Sequence, residues 1–281
     1  MTDAEILHDT SPDAMARAAH ASIMALNRIL GRSPKTEVHR EPGFFRWHTP
    51  GPLPFFNGVV VSSPPGAGVD SQARSTLAYF EAKGVSSITW WLDPGVSAEA
   101  WSPLLLGLGF TLDPNFPGMA APLDSLVRKV AIRSERHGDA PSVEIRRVDS
   151  SAMLREWAEV FVTGYEFPLS FAAPLFDLYD DLHGPDSPLQ SYFAYLDGAP
   201  VATSSILYAE GVAGIYDVAT LPSARGRGLG AAVTLAPLRD ASERGYRVGV
   251  LQSSVTGLSV YERIGFRTVC RIPYFTWKRS A

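Results

Sequence analysis

The sequence predicts an α/β fold in two similar halves, and three observations carry that expectation. Short apolar runs of period two alternate with stretches of helical spacing along most of the chain. The order strand, loop, helix, strand, helix, Gly-Phe occurs twice. One stretch, Tyr216 to Ala236, reads as a strand that turns through glycines straight into a helix. At 281 residues the chain has room for about two domains.

The elements follow in order. Residues 1–10 read as loose, and Ser11-Pro12-Asp13 caps and opens a helix. Its stripe of Met15, Ala18, Ala19, Ile23, Leu26, Ile29 and Leu30 contains one polar residue, Ser22. Strands are expected at 43–48 and 55–62, a helix over 71–83 ended by Gly84, a strand at 88–92 and a short helix over 101–106. Pro114, Pro117 and Pro122 are expected to break up the next stretch, and 118–133 has no clear assignment. Ser134 to Pro141 is polar, holds Gly138 and Pro141, and reads as the linker. Beyond it come a strand at 143–148, helices over 151–165 and 174–183, and a hairpin across Asp197-Gly198. After the strand-loop-helix stretch, Gly245 ends the helix, 248–251 is a buried strand, and 257–264 is a short helix. Residues 267–277 close the pattern as a long strand or a pair of strands.

The internal echo is specific. Thr76-Leu77-Ala78, Gly84 and a strand ending at Leu92 match Thr234-Leu235-Ala236, Gly245 and a strand ending at Leu251. Leu108-Gly109-Phe110 matches Ile264-Gly265-Phe266. Where the second copy has Arg225 to Gly230, the first has Pro64-Pro65-Gly66-Ala67-Gly68, read as lacking both the arginine and a helix-opening Gly-x-Gly.

Composition narrows the function classes. Hydrophobic residues make up 46% and charged residues 19%, which describes an ordinary globular chain. A net charge of −4 argues against nucleic acid or anionic membrane as partner. Cys270 is the one cysteine, so there is no internal disulfide or cysteine zinc cluster, and the scattered histidines have no metal-ligand spacing. No metal is expected. Without a long apolar run or signal pattern, the expected setting is the cytoplasm.

The chemistry concentrates at Val218 to Ala231. Pro222 stops the strand ladder. Gly226, Gly228 and Gly230 allow a sharp turn and close approach of a ligand. The helix start then presents unpaired N–H groups beside the positive end of its dipole, a setting for phosphate. Arg225 and Arg227 add cations suited to phosphate oxygens. A Walker A loop is excluded, since no Gly-Lys-Ser/Thr follows. The dinucleotide pattern is formally met by Gly226, Gly228 and Ala231, but the next strand ends in Gln252 and Ser253 rather than a carboxylate. The third pattern, Arg/Gln-x-x-Gly-x-Gly/Ala, is met by Arg225, Gly228 and Gly230.

In that form, and with Tyr261-Glu262-Arg263-Ile264-Gly265-Phe266, residues from about 143 to 277 resemble a domain of the GNAT family of N-acetyltransferases. The whole chain is similar to tandem members. The resemblance implies two domains of α+β type, each a mixed, mostly antiparallel twisted sheet flanked by helices. Residues 1–135 would be a degenerate copy without the coenzyme loop, and 141–281 the catalytic copy. It implies that Val218, Ala219 and Thr220 bond the pantetheine arm of acetyl-CoA as one more strand. The amides of Gly226, Arg227, Gly228, Leu229, Gly230 and Ala231 would hold its pyrophosphate in a slot opened by a splay toward 248–251. Acyl transfer to a small-molecule amine by direct attack in a ternary complex follows as the expected activity. Oligomeric state is left open.

Tyr261 stands where many relatives place the tyrosine that meets the departing thiolate, with ring packing as the alternative. Some relatives have a glutamate four residues before the position of Val218; here that position is Gly214. Asp217 and Glu166 are the remaining base candidates, Asp217 being equally readable as a solvated charge facing away from Val218. Ser254, with Gln252 and Ser253, could touch the arm or cap a helix. Phe167, Phe171 and Tyr274 are candidates for an acceptor pocket or for packing. Cys270 reads as buried rather than nucleophilic. Two other functions remain open: a non-catalytic acetyl-CoA sensor, supported by Gly214, and an NAD-type oxidoreductase.

Overall fold

The computed structural model describes residues 5–126, 143–184 and 186–279. The expected linker, 134–141, lies outside them. In chain order the elements are α1 (Pro12–Ile29), β1 (Glu37–Glu41), β2 (Phe44–His48), β3 (Asn57–Val61), α2 (Val69–Ala82), β4 (Ser87–Leu92), α3 (Ala98–Gly107), β5 (Thr111–Pro122) and β6 (Val143–Arg147). They continue with α4 (Ser151–Gly164), α5 (Ala172–Leu182), β7 (Leu189–Leu196), β8 (Ala199–Ala209), β9 (Val212–Thr220), α6 (Leu229–Glu243), β10 (Val248–Gln252), α7 (Leu258–Ile264) and β11 (Arg267–Lys278).

Packing divides the chain into two compact units, one of Met1–Ile23 with Pro117–Cys270 and one of Met24–Phe116 with Arg271–Ala281. These cuts differ from 1–135 and 141–281: Met1–Ile23 and the Pro117–Pro122 part of β5 fall in the larger unit, and the Arg271–Lys278 part of β11 falls in the smaller. In the larger unit the strand order is β5-β10-β9-β8-β7-β6. Only β9 and β10 run parallel; Gly118–Pro122 of β5 lies antiparallel to β10. In the smaller unit the order is β1-β2-β3-β4 followed by Tyr274–Lys278 of β11, with β3 and β4 as the parallel pair. Both units thus have the mixed, mostly antiparallel sheet flanked by helices.

Local chemistry explains the elements that position the site. Ser150 accepts a hydrogen bond from Met153 N–H and starts α4. Leu154, Trp157, Ala158, Phe161 and Val162 then recur at helical spacing and are buried against the sheet. Burying side chains of this size contributes about 1.5–3 kcal/mol each. The β7–β8 hairpin turns at Asp197 and Gly198, with φ of 51° and 83°, as a two-residue turn requires. The core of the larger unit gathers Met119, Tyr192, Ile206, Ile215, Val233 and Leu251 around β9 and α6. The smaller unit packs Phe80, Trp90, Trp101, Phe110 and Phe275 in the same way.

Two expectations need correction, and one strand was not foreseen. The prolines do not break up 111–122, which is one strand. Pro122 sits on the end rung opposite Val248, and Pro117 precedes the first rung while its carbonyl accepts from Ser253 N–H. The rungs between therefore keep their donors. Strand β1 had no apolar signal because it is exposed, apart from half-buried Val38, and charged, as an edge strand can be. Finally, α2 does open on a Gly-x-Gly: Gly68 is its N-cap at φ 81°, the counterpart of Gly228 at φ 79° before α6. What the first copy lacks is the arginine, and its helix carries Asp70 in the first turn. Among the described residues no helix is long and apolar enough to cross a membrane.

Candidate functional site

Strand β9 is held on one side by β8 and on the other by β10, but only in part. The parallel rungs to β10 are Gly249–Ala213, Val250–Gly214 and Leu251–Ile215. Past Ile215 the ladder with β10 ends while β9 continues to Thr220, with Ala219 and Thr220 still paired to β8. Among the described residues no strand pairs the other edge of β9 from Tyr216 to Thr220. This is the splay that the resemblance implied, and it leaves that edge of β9 without a strand partner, while Thr220 O accepts from Arg225 Nε at 3.2 Å.

The loop after β9 presents a row of main-chain donors. A turn at Pro222–Ala224 closes with Arg225 N–H to Pro222 O at 3.4 Å, and main-chain bonding resumes with Ala232 N–H to Gly228 O at 3.0 Å. Among the described residues the six amides from Gly226 to Ala231 have no acceptor. Gly226 and Gly228 both stand at φ 79°, and a Cβ on either would meet open space. Their conformation, not crowding, is what requires glycine here. Gly230 comes close to Thr220, whose Oγ1 would lie 3.6 Å from an added Cβ. The row of unpaired N–H groups lies at the start of a 15-residue helix, beside the positive end of its dipole, a chemistry suited to an anion.

The two arginines divide their work. Arg227 is exposed and has no ion pair among the described residues, so it is available to phosphate. Arg225 is committed to protein. Its Nη1 donates to Glu166 at 2.8 Å, its Nη2 to Gly164 O at 2.8 Å and its Nε to Thr220 O at 3.2 Å. It fastens the end of α4 to the end of β9. Gly164 makes the approach possible, since a Cβ there would lie 2.9 Å from Ala219 Cβ. Glu166, a base candidate, stands at φ 60° and is held in this ion pair.

Asp217 departs from the plain alternation. The β8–β9 register shifts between Thr203 and Ser205, and Asp217 sits at φ 55° in the resulting bulge. It is half-buried rather than a solvated surface charge. Tyr179 on α5 donates to its Oδ2 at 2.8 Å. Burial raises the carboxyl to about 6, against the opposing hydrogen bonds from Tyr179 and Ser205. Tyr261 on α7 is buried, and burial pushes its phenol up to about 12. Its hydroxyl has no hydrogen-bond partner among the described residues. Tyr165, 48% exposed, has its pKa raised by burial of its hydroxyl and then by Asp217 and Tyr261, which places it within electrostatic reach of both.

The Gly214 position is explained by packing. A Cβ there would lie 2.5 Å from Ser22 Oγ and 2.9 Å from Tyr216 Oη. Tyr216 and Ser22 are bonded at 2.7 Å and fill the space a larger side chain would take. Ser254 accepts from Gly257 N–H at 3.2 Å and bonds Thr256, in the turn that precedes α7. Gln252 Nε2 donates to Ala19 O at 2.7 Å. Cys270 is half-buried, and burial raises its thiol to about 11. Tyr274 belongs to the smaller unit, where it stacks on Trp91 and donates to Asp113. Tyr165, Tyr179 and Tyr216 escaped sequence reasoning; the one available signal was Ser22 inside an apolar stripe. Among the described residues no group of His, Cys, Asp and Glu is placed to hold a metal.

Comparison with known proteins agrees with this geometry. Residues 152–266 match the model of the acetyltransferase (GNAT) family. Among curated proteins none matches. A GCN5-related N-acetyltransferase from Kribbella flavida superposes with a TM-score of 0.64 at 20% identity, covering 95% of this chain and 97% of that one. A conserved protein of unknown function from Staphylococcus epidermidis gives 0.60 at 14%, covering 88% and 95%. A tandem GNAT protein from the clavulanic acid biosynthesis pathway gives 0.54 at 15%, covering 89% and 85%. At such identities the likeness is one of fold, and it spans both halves.

Proposed function

We propose, from the premise that residues 152–266 form a GNAT acetyltransferase domain, that this protein transfers an acyl group from acetyl-CoA to a primary amine. The observation that carries the reading is the row of unpaired amides from Gly226 to Ala231 beside the open edge of β9. That pairing suits a ligand with a doubly anionic diphosphate and an amide-bearing arm: the amides take the one, the strand edge the other. Each dipole-type contact contributes about 0.3–1 kcal/mol, so affinity comes from the array. Arg227 adds an exposed cation.

The amine must lose a proton before it attacks. Asp217, raised to about 6, is ionised at neutral pH and is a better base than an ordinary carboxylate. It takes the ammonium proton, directly or through one water. The nitrogen lone pair then forms the C–N bond, the C–S bond breaks, and the second N–H proton passes to the thiolate, which leaves as the thiol. Tyr261 faces the departing sulfur. At about 12 against a thiol near 8.5, full proton transfer from the phenol would be roughly 5 kcal/mol uphill. Tyr261 therefore acts as a hydrogen-bond donor that strengthens as charge reaches the sulfur. Glu166, tied to Arg225, positions the loop instead of serving as base.

The sensor reading rested on Gly214, but Asp217 supplies a carboxylate nearby. The dinucleotide reading lacks a ribose carboxylate, since Gln252 ends β10 and bonds Ala19. The smaller unit, with Asp70 where a phosphate would sit, is proposed as the non-catalytic copy. The expected setting is cytoplasmic, with no nucleic-acid or membrane partner. Calorimetry with acetyl-CoA and with NAD, followed by thiol release against an amine panel, tests all three: tight NAD binding or an inert acetyl-CoA complex defeats the proposal.

A further inference from the structure

Resting on that reading, we infer that the acceptor is a monoamine carried on an apolar, aromatic-sized body, held by the exposed ring of Tyr165 and the half-buried ring of Phe167 with its nitrogen toward Asp217. A ladder of rings leads from the carboxylate to the surface. Tyr179, bonded to Asp217, stacks on Trp157 at 5.1 Å, and Trp157 stacks on Phe161 at 5.4 Å. Phe161 meets Tyr165 at 4.8 Å, Tyr165 lies parallel to Phe167 at 5.9 Å, and Phe167 to Phe171 at 6.0 Å. The inner members are buried, whereas Tyr165 is 48% and the adjoining Leu169 62% exposed.

Such an outcrop needs a reason on a surface. Its position supplies one: the Arg225 clamp and the bare Gly164 hold it against Ala219 and Thr220, at the edge of β9 assigned to the coenzyme arm. Its charge decides the class of occupant. Glu166 is neutralised by Arg225, leaving Asp217 as the carboxylate at the inner end of the ladder. One carboxylate beside parallel rings complements one ammonium on an apolar body. A polyamine would need several anions, and an amino sugar a polar lining.

The full-length protein is assayed with acetyl-CoA against 2-phenylethylamine, spermidine and glucosamine. The expected result is a kcat/KM for 2-phenylethylamine at least tenfold above the other two. Tyr165→Ala and Phe167→Ser should each lower it at least tenfold, with Tm and the acetyl-CoA Kd unchanged. Preference for spermidine or glucosamine, or indifference to both substitutions, overturns the inference while leaving acyl transfer intact. If no amine releases thiol, acyl transfer falls, and calorimetry with 2-phenylethylamine decides the remaining question. Binding lost in Tyr165→Ala sustains the assignment of the ladder; absence of binding overturns it.

Discussion

The hydroxyls of Ser22 and Tyr216 lie 2.7 Å apart, in the space that a side chain at position 214 would need. The bond joins residues 194 positions apart and is buried. Gly214→Ala is therefore expected to cost about 1–3 kcal/mol through overpacking. Pairing it with Ser22→Gly should recover part of the loss. Chemical denaturation of the two variants checks this, and an unchanged midpoint for Gly214→Ala refutes it.

Gly228→Glu should abolish acetyl-CoA binding, since it puts a carboxylate at the proposed phosphate site and an L residue at φ 79°. Gly228→Asn separates the two effects, because asparagine tolerates the left-handed region. Calorimetry should show at least a hundredfold loss for glutamate and under tenfold for asparagine. Equal affinity for wild type and Gly228→Glu would remove the loop from the site.

Tyr261→Phe is expected to lower kcat about tenfold to a hundredfold with little change in KM for acetyl-CoA, since the hydroxyl is needed only as the sulfur gains charge. Its lack of a partner among the described residues means that folding should not suffer. A kcat within twofold of wild type rejects the role.

Asp217 titrates in the folded protein at about 6, above an ordinary aspartate near 3.8. The folded state binds this proton more tightly, so ionisation costs stability as pH rises from about 4 to 6, with no further change above. Asp217→Asn should therefore be more stable than wild type at pH 8, by up to about 3 kcal/mol, and nearly equal at pH 4. Activity runs the opposite way. The wild-type kcat/KM should rise through pH 6 and level off, and the substitution should erase that limb. A limb that persists in Asp217→Asn assigns the base elsewhere.

Arg225→Ala removes an exposed ion pair worth about 0–1 kcal/mol and two hydrogen bonds to Gly164 O and Thr220 O worth about 0.5–1.5 kcal/mol each, so Tm should fall by several degrees without loss of the fold. The clamp between α4 and β9 is lost, however, and the acceptor KM should climb at least fivefold. Steady-state kinetics at saturating acetyl-CoA reads this out; an unchanged KM shows that Glu166 and its neighbours need no fastening.

What was legible in the sequence was local. The loop from Arg225 to Ala231 could be read because glycine conformation and a helix start are set by neighbours. The α4 stripe and the Asp197-Gly198 turn were readable for the same reason. Asp217 was misplaced because a bulge depends on register with β8, which alternation along one strand cannot register. Arg225 looked like a phosphate ligand because its partners, Gly164 and Glu166, are distant in sequence. Ser22 stood out in its stripe, but nothing pointed to Tyr216. The prolines of β5 were misjudged because their harmlessness depends on which rungs face β10. The charged β1 gave no apolar pattern to find.

The exchange of strands has a biosynthetic consequence. The edge of β4 is covered by Tyr274–Lys278 and that of β10 by Gly118–Pro122. A polypeptide cut between the halves yields two pieces, each with a raw sheet margin and each holding the other's missing cover. Such fragments are sticky alone and soluble together, so co-production should rescue what separate production loses.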